Sequence, residues 1–235
     1  MNRMDLSTGR IVRDDPKVPE FINDLYEDYK RNIWIGTNSG IFIYSPLQRE
    51  ILDFRPEENI NLKLTAPSIN AIAQDREGYI WICTWDGLNM IVPSPDGYGY
   101  YKVIHFKRNP EKINTLTENR TTTIYEDGEG ILWIGTYGGG LNRLELEFDP
   151  HTGRITSSFS FFNQNHGLSG NIVYGILEDD NRNLWISTNN GLSKFNIEDE
   201  SFINFDVNDG LQGNQFYWHA FHKTRTGKMF FGGIN

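Results

Sequence analysis

The chain has 235 residues, of which 38% are hydrophobic and 14% are aromatic, so it can bury a substantial core. Its formal net charge of -9 argues against a surface that follows phosphates, and we expect no nucleic-acid partner for this segment. The single cysteine, Cys83, permits no internal disulfide, and the sequence contains no run of about 18 apolar residues that could span a bilayer.

The predicted elements follow a repeat whose clearest copy is ILWIGTYGGGL at residues 131–141. Its copies are separated by 47, 52, 52 and 45 residues and are centred on Trp34, Trp81, Trp133, Trp185 and, in a degraded form, Phe230. Short apolar runs between glycine-rich turns at this period are typical of β-propeller blades. The sequence therefore predicts an all-β propeller of four-stranded antiparallel blades.

In chain order, residues 1–13 match the end of the third repeat and predict the two outer strands of a blade. Four full blades are predicted next, at 18–55, 65–107, 117–163 and 169–206, and residues 213–235 supply the first two strands of a final blade. The two half-blades could complete each other in a five-bladed ring. Alternatively, each half-blade could be a cut edge.

Each repeat has an aspartate six residues before its tryptophan, at Asp28, Asp75, Asp127 and Asp179. Aspartate can accept bonds from backbone amides two residues on, so this segment predicts a tight hairpin, usually with glycine at its third position. Arg31 and Arg182 replace that glycine in two blades, where we expect strained or differently shaped turns. The tryptophans are expected to fill the space between stacked blades.

The turn after each tryptophan strand varies between blades, whereas the residues around it vary little. In a propeller this turn shares one rim with the connections between blades, and binding residues commonly lie on such loops. Aromatic rings, amides and a few charges suit a polyhydroxylated ligand, although solvated turn residues are the alternative reading. The predicted ligand-binding residues are Trp85, Asp86, Asn119, Arg120, Tyr137, Asn189 and Asn190.

No catalytic residues, cofactor or metal site are predicted. The five histidines lie in different settings, without a nucleophile elbow or metal-ligand spacing. The acidic run 179–183 lacks the glycine and the distant glutamate of a calcium loop. Cys83 lies in an apolar strand and is expected to be a small buried hydrophobe. We therefore expect this segment to bind its ligand without turning it over.

The repeat also matches a known pattern, through Glu126-Asp127 with LWIGT at 132–136 and through Asn171-Ile172 with Leu184-Trp185. These motifs resemble the two-component regulator propeller repeat, found in extracytoplasmic sensor regions of hybrid two-component histidine kinases, especially those of gut Bacteroidetes. The resemblance covers nearly the whole chain, and it departs from the pattern at Cys83 and at Pro67, which stands where the repeat has asparagine.

The resemblance implies a periplasmic segment that senses an oligosaccharide and signals to a kinase that regulates transcription. It also implies that the segment is part of a larger, seven-bladed propeller. The parent protein would be a homodimer with a second propeller and an immunoglobulin-like domain beside this one. A propeller enzyme, similar to a sialidase or a streptogramin lyase, is the alternative. A sialidase motif would place the aspartate five residues before the aromatic residue, whereas the spacing here is six. The rim also lacks a conspicuous His–Glu pair, which argues against a lyase. A protein-interaction scaffold also remains open.

Overall fold

The computed structural model describes residues 2–4, 11–13, 21–52, 63–93, 100–148 and 155–234. The first two strands, β1 (Asn2–Met4) and β2 (Ile11–Arg13), pair with each other as a two-stranded sheet. Blade 1 follows, with β3 (Ile22–Glu27), β4 (Ile33–Thr37), β5 (Ile41–Ser45) and β6 (Glu50–Leu52). Blade 2 consists of β7 (Ile69–Gln74), β8 (Ile80–Thr84), β9 (Gly87–Pro93) and β10 (Tyr100–Phe106).

Blade 3 is built from β11 (Thr121–Glu126), β12 (Leu132–Thr136), β13 (Leu141–Phe148) and β14 (Ile155–Phe162). Blade 4 has β15 (Val173–Glu178), β16 (Asn183–Thr188), β17 (Gly191–Asn196) and β18 (Ser201–Phe205). The C-terminal hairpin pairs β19 (Phe216–Lys223) with β20 (Met229–Gly233). Two short 3-10 turns, Gln164–His166 and Val207–Asp209, precede blade 4 and the C-terminal hairpin.

The sheet order confirms the predicted fold class: each blade is a four-stranded antiparallel meander, and two further sheets have two strands each. The first strands of successive blades, from β3 to β19, contact one another in chain order. These first strands therefore line the axis. Because neighbouring strands run antiparallel, the turn from the second to the third strand of each blade lies on the same face as the connections between blades. We call this face the variable rim.

Side-chain hydrogen bonds join the innermost strands of adjacent blades at equivalent positions. Asn23 Nδ2 donates to the carbonyl of Ile69 at 3.0 Å, and Asn70 Nδ2 donates to the carbonyl of Thr121 at 2.7 Å. At the third interface, the hydroxyl of Thr122 donates to the backbone of the next blade over 2.6 Å. A short polar side chain at this position therefore gives a hydrogen-bond donor to a backbone carbonyl near the axis that would otherwise be buried without a partner.

The aspartate six residues before each tryptophan has two roles in the structure. Its carboxylate accepts backbone amide bonds within the turn, as at Asp28, which accepts from Lys30 and Asn32. It also accepts a bond from the indole N–H at 2.9, 2.7, 2.8 and 3.0 Å in blades 1 to 4. The spacing of six residues is therefore explained by a structural link between turn and core.

Three of the four repeat tryptophans, Trp34, Trp81 and Trp133, are almost completely buried between adjacent blades, as predicted. Trp185 is only partly buried, because the sheet that packs against it has two strands instead of four. It stacks on Phe205 at a centroid distance of 5.4 Å. The core is therefore not one central cluster but a series of inter-blade layers.

The arginine-containing turns have the same shape as the glycine-containing ones. Arg31 and Arg182 adopt φ values of 67° and 63°, and the glycines at the same position, Gly78 and Gly130, have φ values of 89° and 90°. Each of these residues donates its amide to the carbonyl of the turn aspartate. The left-handed backbone of the two arginines agrees with the expected strain. The alternative expectation, that these turns have a different shape, is wrong.

Candidate ligand-binding site

Four aromatic rings from four different sheets meet at the axial end of the variable rim. Trp218 is at the centre, with ring centroids 5.5 Å from Trp85, 5.9 Å from Tyr137 and 5.3 Å from Tyr174. Trp85 and Tyr137 also meet edge to face at 5.8 Å. We call these four residues the axial aromatic cluster. Trp85 keeps 39% of its surface exposed, so the cluster offers aromatic surface to solvent.

Trp218 reaches the axis because β19 contains a larger bulge than the other innermost strands. In β19, the five steps from Phe216 to Phe221 lie opposite two steps on β20, whereas in blade 1 the three steps from Ile22 to Leu25 lie opposite two. The extra residues include Trp218, and the next residue, His219, has a φ of 53°. Such a bulge redirects side chains. Here it carries an indole ring into the axial opening.

Backbone bonds from the neighbouring segments hold Tyr137 in the cluster. Its amide donates to the carbonyl of Arg120 at 2.8 Å, and Gly138 and Gly140 both donate to the carbonyl of Asn171. The guanidinium carbon of Arg120 lies 5.0 Å from the centroid of the Tyr137 ring. The Tyr137 ring is therefore next to a hydrogen-bond donor with a positive charge.

Arg120 is itself oriented by an acidic neighbour. Its Nε lies 3.1 Å from Glu118 Oε1, and a second guanidinium nitrogen lies 3.3 Å from the other carboxylate oxygen. This hydrogen bonding holds the pKa of Glu118 below its usual value. A bidentate pair fixes the plane of the guanidinium group beside the tyrosine ring.

Asp86 and Asn119 lie beside the cluster but bond to protein groups. Asp86 accepts from Lys107 Nζ at 2.6 Å and from Asn119 Nδ2 at 3.3 Å. Asn119 Oδ1 in turn accepts from the backbone amide of Arg108 at 2.8 Å. This network crosses from blade 2 to the connection before blade 3. It supports the turn that carries Trp85.

The predicted residues Asn189 and Asn190 belong to the corresponding turn of blade 4. Asn189 Oδ1 accepts from the amide of Ile172 at 3.1 Å, and Asn190 Nδ2 donates to the carbonyl of Ser169 at 3.0 Å. Asn190 lines a separate open groove of about 330 Å³, together with Asn204 and other residues. The structure thus groups Trp85, Arg120 and Tyr137, whereas Asn190 belongs to another depression.

Two members of the cluster, Tyr174 and Trp218, were not predicted from the sequence. A signal was present for Trp218, since the run Phe216-Tyr217-Trp218 lengthens the innermost strand relative to the other repeats. The following residue, His219, lies with Nδ1 at 3.9 Å from Asp24 Oδ1 on β3. Burial raises the pKa of Asp24, which also accepts the amide of Ile72 at 2.7 Å.

Among the residues that the structure describes, no group of three or more His, Cys, Asp or Glu side chains could hold a metal ion. No helix in the same part of the chain is long and apolar enough to cross a bilayer.

Four segments of the chain match a family model described as two component regulator propeller, at 17–39, 63–86, 115–138 and 167–190. Each matched segment ends in the variable turn, so that the model includes the positions of Trp85 and Tyr137. Histidine kinase P4 of Formosa agariphila is 26% identical over 243 residues, covering 86% of this chain and 17% of the kinase.

The solved structures include the extracellular domain of a hybrid two-component system from B. thetaiotaomicron, with a TM-score of 0.71 and 26% identity. This likeness covers 91% of our chain and 27% of that domain's chain. Virginiamycin B lyase from Staphylococcus aureus shares the fold alone, with a TM-score of 0.57 and 15% identity over 89% of this chain and 62% of the lyase. The chain thus spans less than a third of the kinase and of the sensor domain.

Proposed function

Since four of its segments are two-component regulator propeller repeats, we propose that this chain is a ligand-sensing part of an extracytoplasmic sensor. In this proposal it lies in the periplasm, and the parent protein is a homodimeric histidine kinase with a second propeller and an immunoglobulin-like domain. Ligand binding to the sensor regulates transcription through that kinase. The relatives support the sensory role, because one is a histidine kinase and another is the extracellular domain of a two-component system.

The observation that carries the ligand proposal is the axial aromatic cluster. Exposed aromatic surface such as that of Trp85 contacts the C–H faces of sugars, and Arg120, fixed beside Tyr137, can donate to hydroxyl groups. We propose that an oligosaccharide lies across Trp85, Tyr137 and Trp218. Asp86, Asn119, Asn189 and Asn190 would contribute polar contacts at the edge of the same rim.

The proposal is for binding without turnover. The Asp24 and His219 side chains are 3.9 Å apart near the axis, but Asp24 is engaged by backbone amides. A glycosidase or lyase remains the competing function, and protein docking on the rim is a third. Formation of a reaction product would distinguish a glycosidase or lyase from a sensor.

Titration of the chain with a panel of neutral oligosaccharides, followed by ligand-observed NMR and calorimetry, tests the proposal. Trp85→Ala and Trp218→Ala are expected to weaken binding on the order of 10-fold or more, since each removes a stacking surface that contributes about 1.4 kcal/mol. Tyr29→Ala is the matched control, because Tyr29 is an exposed aromatic residue on the opposite face. Unchanged affinity in both tryptophan variants, or release of a sugar product, would contradict the proposal.

A further inference from the structure

A second depression lies further from the axis on the variable rim, between the connection 108–117 and strand β14. It has a volume of about 680 Å³ and is lined by Arg108, Lys112, Thr115 and Phe161, among others. We call it the lateral groove. Gly139 also lines it, and this glycine belongs to the turn that places Tyr137 in the axial aromatic cluster. One turn thus separates the two sites.

The lateral groove is positive on an acidic chain. Arg108 and Lys112 line it, and no aspartate or glutamate is among its lining residues, whereas the whole chain has a formal net charge of -9. In the described part of the chain, neither cation forms a side-chain ion pair. Glu111 lies in the same loop but is not among the lining residues. Glu118 follows the loop, and its pKa is lowered mainly by the hydrogen bond from Arg120 and in part by the charge of Arg108. Two cations in a concave site whose lining contains no carboxylate favour an anionic ligand.

The groove wall also suits a hydroxylated ring. Phe161 is 44% exposed and forms part of the lining, and Ser160 and asparagine side chains provide hydrogen-bonding groups around it. A volume of this size is within the range of small-molecule sites. An aromatic face beside polar groups is the arrangement that binds a sugar ring through its C–H face.

Local bonds hold the loop that forms the groove. The Thr115 hydroxyl accepts from the amide of Asn109 at 3.1 Å and donates to its carbonyl at 3.3 Å. Asn114 adopts a φ of 62°, and its carbonyl accepts from the amide of Phe159 at 3.3 Å. Leu116 anchors the end of the loop in the core. Because the loop is already ordered, less conformational entropy is lost on binding.

We propose that the lateral groove binds an anionic saccharide unit, whose carboxylate or sulfate contacts Arg108 and Lys112 while its ring lies against Phe161. This inference rests on the proposed function, since it adds a second subsite for the same class of ligand. It also narrows that class to acidic oligosaccharides. A ligand long enough to pass over the turn at Gly139 would contact both sites.

The test uses three oligosaccharides of equal length: an oligouronate, a sulfated oligosaccharide and a neutral one. Arg108→Gln and Lys112→Gln are each expected to weaken binding of the acidic probes on the order of 10-fold at low salt, through loss of a charge-assisted contact. Neither change should alter binding of the neutral probe. Arg225→Gln is the matched control, because Arg225 is an exposed arginine in the turn on the opposite face. The acidic probe that binds more tightly shows whether the groove prefers a carboxylate or a sulfate.

The outcomes separate the two proposals. If Trp85→Ala weakens all probes but Arg108→Gln and Lys112→Gln change none, the lateral groove inference is wrong and the axial site stands. If inorganic sulfate displaces the acidic probe at equal concentration, the groove is a general anion site and the saccharide assignment is wrong. If no oligosaccharide binds the chain at all, both proposals fail. Phe161→Ala, which retains both cations, should weaken the acidic saccharides but not inorganic sulfate.

Discussion

The repeat tryptophans combine a buried ring with a hydrogen bond to the turn that precedes them. The indole N–H donates to a carboxylate, and that carboxylate also accepts amides of the hairpin, so one residue pair joins turn and core. The last copy supports this reading, because both partners change together there. Phe230 has no N–H to donate, and Thr224 replaces the aspartate, accepting the amide of Lys228 at 3.1 Å.

Trp133→Ala is expected to lower the free energy of unfolding by about 3–5 kcal/mol, because it leaves a cavity between blades 3 and 4. The ring lies 5.6 Å from that of Phe195 and bonds to the buried Asp127. Trp85→Ala is the control and should cost about 1 kcal/mol or less, since that ring is partly exposed. Denaturant unfolding of both variants measures the difference. Equal losses would mean that Trp85 is a core residue.

Cys83 provides a second test at this scale. Burial raises the pKa of its thiol from an ordinary 9.0 to about 12. At pH 8 the folded chain should therefore be unreactive toward a thiol reagent, and reaction should follow unfolding. Because the unfolded chain loses this proton at lower pH than the folded chain, the thiol's contribution to stability is lost as the pH rises from about 9 to 12.

Comparing the wild type with Cys83→Ala separates the contribution of this thiol to stability from that of other groups that titrate in the same pH range. The stability of the wild type should fall more steeply with pH over that interval, by about 1 kcal/mol per pH unit. Rapid labelling of the native protein at pH 8 would show instead that Cys83 is accessible.

At the scale of elements, the hairpin between the first and second strands keeps one geometry in blades 1 to 4 and in the C-terminal hairpin. The residue at its third position has a positive φ whether it is glycine or arginine, so the hydrogen-bonding frame and not the side chain decides the backbone conformation. Arginine in this region carries a steric cost that glycine avoids. Blades 1 and 4 therefore contain turns that are less favourable than those of blades 2 and 3.

Arg182→Gly should be about 1 kcal/mol more stable than Arg182→Ala, because only glycine relieves the left-handed backbone. Alanine is the matched control, since both changes also remove the exposed ion pair between Arg182 and Glu129. Thermal or denaturant unfolding of the two variants gives the comparison. An alanine variant as stable as the glycine variant would show that the turn relaxes without cost.

At the scale of the molecule, two equivalent blade faces are not covered by any of the residues that the structure describes. Leu25, on the innermost strand of blade 1, is 52% exposed, although Ile72 at the same position of blade 2 is buried under the preceding blade. On the C-terminal hairpin, Phe230 occupies the position of a repeat tryptophan and is 59% exposed. A further blade on each face would bury both, and the larger propeller stays a prediction.

The isolated chain is therefore expected to self-associate as its concentration rises, since exposed apolar faces favour contact with another copy. Phe230→Ser and Leu25→Ser should each lower the average mass measured by sedimentation or light scattering. Ile113→Ser is the control, because Ile113 is 88% exposed but lies on the rim loop and not on a blade face. A chain that stays monomeric at all concentrations, or an equal effect of Ile113→Ser, would contradict this expectation.

The sequence by itself determined the all-β repeat, the blade strands, the buried tryptophans and the turn aspartates. These features depend on residues that are near one another in the chain, and the repeat period shows them several times over. The sequence also placed Trp85, Arg120 and Tyr137 on one rim, because strand alternation decides on which face each turn lies.

Only the tertiary structure decided which rings meet. Trp218 and Tyr174 join Trp85 because the blades bring residues more than 80 positions apart to one axis, and because a bulge in β19 redirects the indole ring. It also decided the charge of each site: Asp86 is paired with Lys107, whereas Arg108 lies in a groove without acidic lining. Such distances and pairings arise from the packing of separate blades, which no local pattern of residues encodes.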